Sequence, residues 1–284
     1  MPIHRSTIQL LRFHFSLFLL PVYLFALSEL DTINWANAIL VFIVLHLLVY
    51  PASNGYNSYM DRDNAPIGGL ANPLQPTKQL FYFSIAMDII AITISLFISF
   101  LFMAGVILYI LASRAYSYRG IRLKKYPFIG FLTVFIFQGA VIFYSTINAA
   151  GDYYISPFLP AYISSLLIGA LYPLTQIYQH EADLKDDVVT ISYRLGKKGS
   201  FLFSMFLFSM ATVCLFILFK AQDQLNFFYL YLLFMLPVVS FFIYWMWLVW
   251  RNREAANFNN SFKMNLLSTV CTAAYFITLI ILNH

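Results

Sequence analysis

SNGYNSYMDRDNAPIGGL, residues 53–70, decides how the rest of the chain is read. The stretch is polar, rich in Asn and Asp, and broken by Pro66 and by Gly68-Gly69, yet it lies between two hydrophobic segments each long enough to cross a bilayer. Asn57 and Asp61 are four residues apart and share one face if the preceding helix continues past Tyr50. Asp63 needs an unwound turn to join them, which Asn64-Ala65-Pro66 and Gly68-Gly69 supply. Carboxylate and amide oxygens suit a hard cation such as Mg²⁺, which takes one or two carboxylates and completes its shell with substrate phosphates and water. The same residue types also suit a plain helix cap and turn. Taken alone, the stretch serves either reading.

A second polar stretch, QIYQHEADLKDDVVTISYRLG at 176–196, also follows directly on a hydrophobic segment. Gln179 and Asp183 are again four apart, and Glu181, Asp186 and Asp187 offer further oxygens. A solvated loop of mixed charge is the commoner origin of such a run. Two of them facing one compartment favour a shared cation site. Between them lies SRAYSYRGIRLKKYP, residues 113–127, with five basic residues. Some of these are expected to serve only as topogenic charge. Arg122 and Lys124 are the pair expected to neutralise a phosphorylated ligand beside the metal.

Around these loops the chain is 61% hydrophobic and only 10% charged, which excludes an ordinary soluble domain. An all-α, polytopic membrane bundle is expected, one embedded domain over 1–284 with helices around a central cavity. A helical span needs about 20 apolar residues. Nine are expected, near 10–29, 34–51, 79–98, 100–113, 128–147, 157–178, 201–219, 227–250 and 264–282. The run from Leu80 to Ala112 is divided near Ser99 on length alone. No cleavable signal is expected, because the first apolar run lacks a small-residue cleavage site.

Charge supports this count. With the N-terminus cytoplasmic, 16 of the 17 Lys and Arg residues fall on the inner side and only Lys220 falls outside. Both acidic loops are then cytoplasmic, and a bacterial inner membrane is the expected location. The net charge of +5 reflects topology and contact with anionic membrane lipid, with no call for nucleic acid as a partner.

Asn57-Ser58-Tyr59-Met60-Asp61-Arg62 resembles the first Asp-rich signature of the UbiA-type membrane prenyltransferases, Asn-x-x-x-Asp-x-x-x-Asp, and Pro66-Ile67-Gly68-Gly69 resembles the Pro-Ile-x-Ser-Gly that follows it. Tyr116-Ser117 with Arg122-Leu123-Lys124 is similar to that family's central loop, and Thr190-Ile191-Ser192 through Leu195-Gly196 to the end of its second signature. Order and spacing agree over essentially the whole chain. The resemblance implies transfer of a prenyl group from an isoprenyl diphosphate to a hydrophobic acceptor. It assigns Asn57, Asp61, Asp63, Gln179 and Asp183 to Mg²⁺. Asp61, Asp183 and Lys124 become catalytic, and Arg62, Arg122, Lys124, Tyr116 and Tyr178 bind substrate.

Two departures stand out. The last Asp of the first signature falls near Ala65, so Asp63 would substitute for it, and Gln179 stands where the second signature has a carboxylate. The lost negative charge keeps open a non-catalytic isoprenoid binder on the same scaffold. A secondary transporter is a third reading, without the repeat symmetry it would normally carry.

Other polar residues lie within the spans. Asp88 is expected to be protonated and bonded to a neighbouring helix, or else functional. His46 is expected in the core. Gln138 and Asn148 bind a polar acceptor or link helices. Trp245, Trp247 and Trp250 read as an interfacial belt. Cys214 and Cys271 lack disulfide or metal spacing and read as small core residues.

Overall fold

The structure, a computed structural model, describes residues 2–154 and 156–284. Among these, nine helices are long and apolar enough to cross a membrane. In chain order they are α1 (Arg5–Ser28), α2 (Trp35–Asp61), α3 (Lys78–Leu96), α4 (Phe100–Ser117), α5 (Pro127–Ala150), α6 (Phe158–Gln176), α7 (Ile191–Ala221), α8 (Leu225–Arg251) and α9 (Phe258–Asn283). The division near Ser99 is where the sequence placed it: Ser99 is extended and its side chain caps α4 by accepting from Phe102 N at 3.2 Å.

Two helices differ from their expected bounds in an informative way. α2 was expected to stop at 51 and runs to Asp61; α7 was expected from 201 and begins at Ile191, with a left-handed break at Gly196 (φ 71°). Hydropathy locates only the apolar part of a span, and both extensions are polar ends that project toward the acidic loops. α1 is broken at Arg12 (φ 48°), while α2 and α5 each contain a π-helical turn, Ile43–Val49 and Phe135–Val141. Such turns in a long helix concentrate at functional sites. In α5 the Ala140 N–H donates to Ser165 Oγ of α6 at 2.9 Å. Gly139 beside it lies so close to the Ser165 backbone that a Cβ would collide.

Packing is aromatic and aliphatic throughout. Phe25 stacks on Phe276 at 4.6 Å, and His46 is fully buried, stacked on Phe42 and hydrogen-bonded to Ser16 O at 3.1 Å, as a core histidine should be. At one end of the bundle Thr32–Ile33 pairs antiparallel with Gly151–Asp152, tying the α1–α2 connection to the α5–α6 connection. At the other end the α2–α3, α4–α5 and α6–α7 connections meet.

Two expectations are corrected here. Asp88 is ion-paired with Arg114 of α4, whose guanidinium also lies 4.1 Å from the centre of the Tyr56 ring. The bond to a neighbouring helix is the expected one, with a fixed cation as its partner, and the correction falls on Arg114, which is more than topogenic charge. Trp245 is fully buried, with Nε1 donating to Ala255 O at 2.8 Å, so only Trp247 and Trp250 remain exposed where a belt would be.

Candidate active site

The first acidic stretch is held by its own backbone. α2 ends at Arg62, whose left-handed conformation (φ 56°) lets its N–H close on Ser58 O, and the chain turns back through a two-hydrogen-bond bridge between Ile67 and Leu70. Gly69 (φ 80°) is required in that turn, because an L side chain is strained there and a Cβ would stand 2.8 Å from His14 Nε2. Arg12, at the break in α1, donates to Gly68 O (3.1 Å) and Asn54 O (3.2 Å) and so fastens α1 to both sides of the loop.

The second stretch is shaped by a short helix, His180–Lys185, followed by Asp187 in the left-handed region and by Thr190, whose hydroxyl caps α7. His180 Nε2 lies 2.8 Å from Ser192 Oγ, anchoring the short helix to α7. Gln179 Nε2 donates across the site to Pro66 O at 3.2 Å, joining the second loop to the first. The central loop completes the roof. Arg122 (φ 52°) starts a single tight turn, Leu123–Lys125, that directs Lys124 Nζ to within 2.5 Å of Asp61 Oδ2.

Of the five non-Gly residues with positive φ among the described residues, Arg12, Arg62, Arg122 and Asp187 all lie around this junction. Left-handed backbone costs about 1–2 kcal/mol at each L residue, and strain of this kind gathers at functional sites.

These connections enclose a cavity of about 260 Å³. Asn57, Asp61, Asp63, Gln179 and Asp183, the five residues assigned to the metal, all line it, together with Lys124 and Tyr116. Asp61 is the most constrained of them, since Lys124 holds Oδ2 and Arg122 lies 3.5 Å from Oδ1. Arg122 is also paired with Asp186, so one guanidinium ties the two acidic loops. Burial pushes the Asp186 carboxyl up, but the hydrogen bond and charge of Arg122 outweigh it and hold the group below the usual carboxylate range. Asp183 is the opposite case. Burial, opposed by Lys124 and reinforced by Asp63, Asp61 and Asp186, pushes it up to about 7, and its Oδ2 is buried without a partner. Burial and the neighbouring Asp61 raise Asp63 as well.

Among the described residues, no three His, Cys, Asp or Glu side chains stand close enough to form a ready-made metal cluster. The donor set nevertheless fits a hard cation shared with a phosphorylated ligand. It offers carboxylates from two loops, two carboxylate oxygens without a hydrogen-bond partner (Asp61 Oδ1 and Asp183 Oδ2), and amides at Asn57 and Gln179. Asn57 commits its nitrogen to Ser117 Oγ at 2.9 Å, which leaves its oxygen for a cation.

Not every candidate is part of the lining. Arg62 is exposed and stacks on Tyr59 at 5.8 Å, Tyr178 packs its ring on Phe258 at 5.4 Å, and Arg122 is held between Asp61 and Asp186; none of the three borders the cavity. Glu181 and Asp187 are exposed, Asp186 is paired with Arg122, and none of these three suggested oxygen donors lines the cavity. Gln138, in the π-helical turn of α5, does line the cavity, whereas Asn148 is used up within its own segment by Tyr144 O and the Tyr153 hydroxyl.

The sequence reading missed Arg12, which is 6% exposed and lines the cavity, and Tyr172, whose hydroxyl lies 2.5 Å from that of Tyr116. Arg12 carried a usable signal, being an arginine inside an apolar span. Tyr172 carried none.

The fold and the site together define a polytopic helical membrane protein that gathers carboxylates and cations over an intramembrane cavity. The chain belongs to the UbiA prenyltransferase family, whose sequence profile matches residues 17–268. At the level of that family the chemistry is prenyl transfer. Solved structures agree on the fold. A UbiA homologue from Archaeoglobus fulgidus bound to DMAPP and Mg²⁺ is 15% identical with a TM-score of 0.73, covering 97% of this chain and 99% of its own. An apo UbiA homologue from Aeropyrum pernix K1 is 20% identical, TM-score 0.68, with 94% and 98% covered. A structure described in connection with digeranylgeranylglyceryl phosphate synthase is 21% identical, TM-score 0.64, with 98% and 97% covered. No curated protein sequence gives a significant match.

Proposed function

We propose that this chain, as one membrane-embedded domain with its N-terminus and acidic loops at the cytoplasmic face, transfers a prenyl group from an isoprenyl diphosphate to a hydrophobic acceptor. The observation that carries the proposal is the meeting of Asp61, Asp63 and Asp183, from two distant loops, in the lining of one cavity that also takes Lys124. Asn57, Asp61, Asp63, Gln179 and Asp183 would hold Mg²⁺. Bound there, the ion would neutralise charge on the diphosphate and favour its departure.

The chain's own residues do the rest. Lys124 and Arg122, already placed against Asp61, turn their donors to the phosphate oxygens when the diphosphate enters and stabilise the leaving charge. Arg12, buried in the cavity lining, supplies a third cation. Below them Tyr116, Tyr172 and Phe137 line the cavity and keep water from the allylic carbon, and the acceptor attacks that carbon.

The test is purified protein incubated with Mg²⁺ and labelled prenyl diphosphates of graded length. At least one should release diphosphate in the presence of a lipid extract, and failure with every length defeats the proposal. One observation favours the second reading, a non-catalytic isoprenoid binder: beside Asp183 the second loop puts the neutral amide of Gln179 into the lining, one negative charge fewer to hold a cation. A binder that needs no metal keeps its ligand affinity in an Asp61→Asn variant, whereas the enzyme loses turnover.

A further inference from the structure

Two stripes of exposed side chains meet at the end of the bundle that carries the acidic loops, outside the cavity lining. On α7, Lys198, Leu202 and Phe206 follow one another at four-residue spacing. On α8, Ile243, Trp247 and Trp250 follow at spacings of four and three. Those intervals put each set on one helix face, and all six side chains are exposed. The stripes touch where the cations are: Lys198 Nζ lies 5.4 Å from the centre of the Trp250 ring, and just below it Phe201 packs edge-on against Trp245 at 4.8 Å.

Three more cations join Lys198 in this corner. Lys197 Nζ donates to Arg253 O at 3.1 Å, and the Arg251 guanidinium lies 4.2 Å from the centre of the Trp247 ring. Two segments far apart in the chain thus bring Lys197, Lys198, Arg251 and Arg253 together, and none of the four has a carboxylate partner among the described residues. The ion pairs there belong to Arg114, Arg119, Arg122 and Lys124, and Arg12 is bound by backbone carbonyls. Glu254, their neighbour in sequence, is exposed and pairs with none of them. The backbone leaves room beside them: Gly196 breaks α7, and nothing stands within 4 Å of the place a Cβ would take.

A purely topogenic role asks only that cations lie on one side of the membrane. It does not ask that four of them be gathered without a counter-charge, an arrangement whose mutual repulsion an anion relieves. Trp247 and Trp250 set the level, because exposed indoles settle at the depth of lipid headgroups. Below them Leu202, Phe206 and Ile243 present apolar surface toward the acyl chains. A soluble anion would use the cations and leave those stripes idle, whereas a phospholipid uses both.

We propose that the α7–α8 corner is a binding site for an anionic phospholipid, its phosphate held by Lys197, Lys198, Arg251 and Arg253 and its acyl chains laid along the exposed stripes beneath. A lipid seated there ties the restart of α7 after Gly196 to the end of α8. The site stands apart from the cavity and does not rest on the prenyl-transfer reading.

The experiment uses the full chain in detergent micelles, with native mass spectrometry to count bound lipid and with phosphatidylglycerol and phosphatidylcholine of identical acyl chains as probes. Phosphatidylglycerol should bind more tightly by about tenfold or more. Lys198→Gln combined with Arg251→Gln should weaken phosphatidylglycerol by about tenfold and leave phosphatidylcholine unchanged. Arg5→Gln combined with Lys78→Gln removes the same charge from exposed positions elsewhere at this end of the bundle, and should change phosphatidylglycerol binding by less than about threefold. Equal affinity for the two lipids overturns the proposal, as does a loss in the Arg5 and Lys78 pair as large as in the Lys198 and Arg251 pair. Displacement of bound phosphatidylglycerol by millimolar glycerol phosphate would mark a site for a soluble anion and overturns it too.

Discussion

Asp183 and Glu29 occupy opposite ends of the bundle, and both carboxyls are pushed up to about 7, in each case first by burial. What surrounds them differs. Glu29, next to the strand pair, accepts one hydrogen bond from Gln222 Nε2 at 3.1 Å and has only Asp31 as a charged neighbour acting on it. Asp183 shares a cavity with two further carboxylates and Lys124, and its Oδ2 has no partner. A raised carboxyl pKa therefore marks burial at both ends, and only the convergence of other charged groups turns one of them into a candidate site.

This contrast can be broken most forcefully at its acidic end. Asp61→Asn removes the carboxylate that Lys124 and Arg122 both address, and turnover should fall by about 10²–10³, read as diphosphate release at saturating Mg²⁺. Asp183→Asn keeps the shape but removes one charge from the second loop. Its loss should be smaller, about 10-fold to 100-fold, with a larger share of it in the Mg²⁺ concentration needed for half-maximal rate. Gln179→Asp restores the carboxylate that the second loop lacks. It should lower that Mg²⁺ concentration by several-fold, at some cost from losing the hydrogen bond to Pro66 O.

The smallest effect on activity belongs to Glu29→Gln, within about twofold of the unaltered protein, because nothing at that end faces the site. Its effect on stability depends on pH. A carboxyl whose folded pKa lies above its unfolded value favours the fold fully below about pH 4.5, and that contribution is lost as pH rises through about 7. Thermal unfolding in detergent should therefore show the unaltered protein losing about 1–3 kcal/mol more than the Gln variant between pH 5 and pH 8. An equal loss in both would mean that Glu29 is not held in its neutral form.

Much of this was legible in the sequence. The nine spans were, because the membrane demands long apolar runs and the charged residues between them are too few to hide the pattern. The break at Ser99 was found by length, and Ser99 proved to be the cap. The two acidic stretches could be paired because Asn57/Asp61 and Gln179/Asp183 repeat the same four-residue spacing. What stayed hidden depends on direction rather than composition. Arg114 looks like any other basic residue near a span end, and only the fold shows it pairing with Asp88; Arg12 stands out as an arginine inside an apolar span, yet only the fold shows it reaching Gly68. Trp245, two residues from exposed Trp247, turns inward through helical phase. Glu181 and Asp187 have the right chemistry, yet they face outward from a short helix and a left-handed turn that hydropathy cannot anticipate.

The central claim is that both acidic loops grip one cation bridged to a diphosphate. Its most direct test is a crystal structure grown with Mn²⁺ and a non-hydrolysable isoprenyl thiolodiphosphate, with the anomalous signal used to locate the metal. Density for Mn²⁺ bound by oxygens of Asp61 and Asp183 and by the diphosphate is the result expected. Diphosphate seated elsewhere, or Mn²⁺ held by one loop with the other untouched, would contradict it.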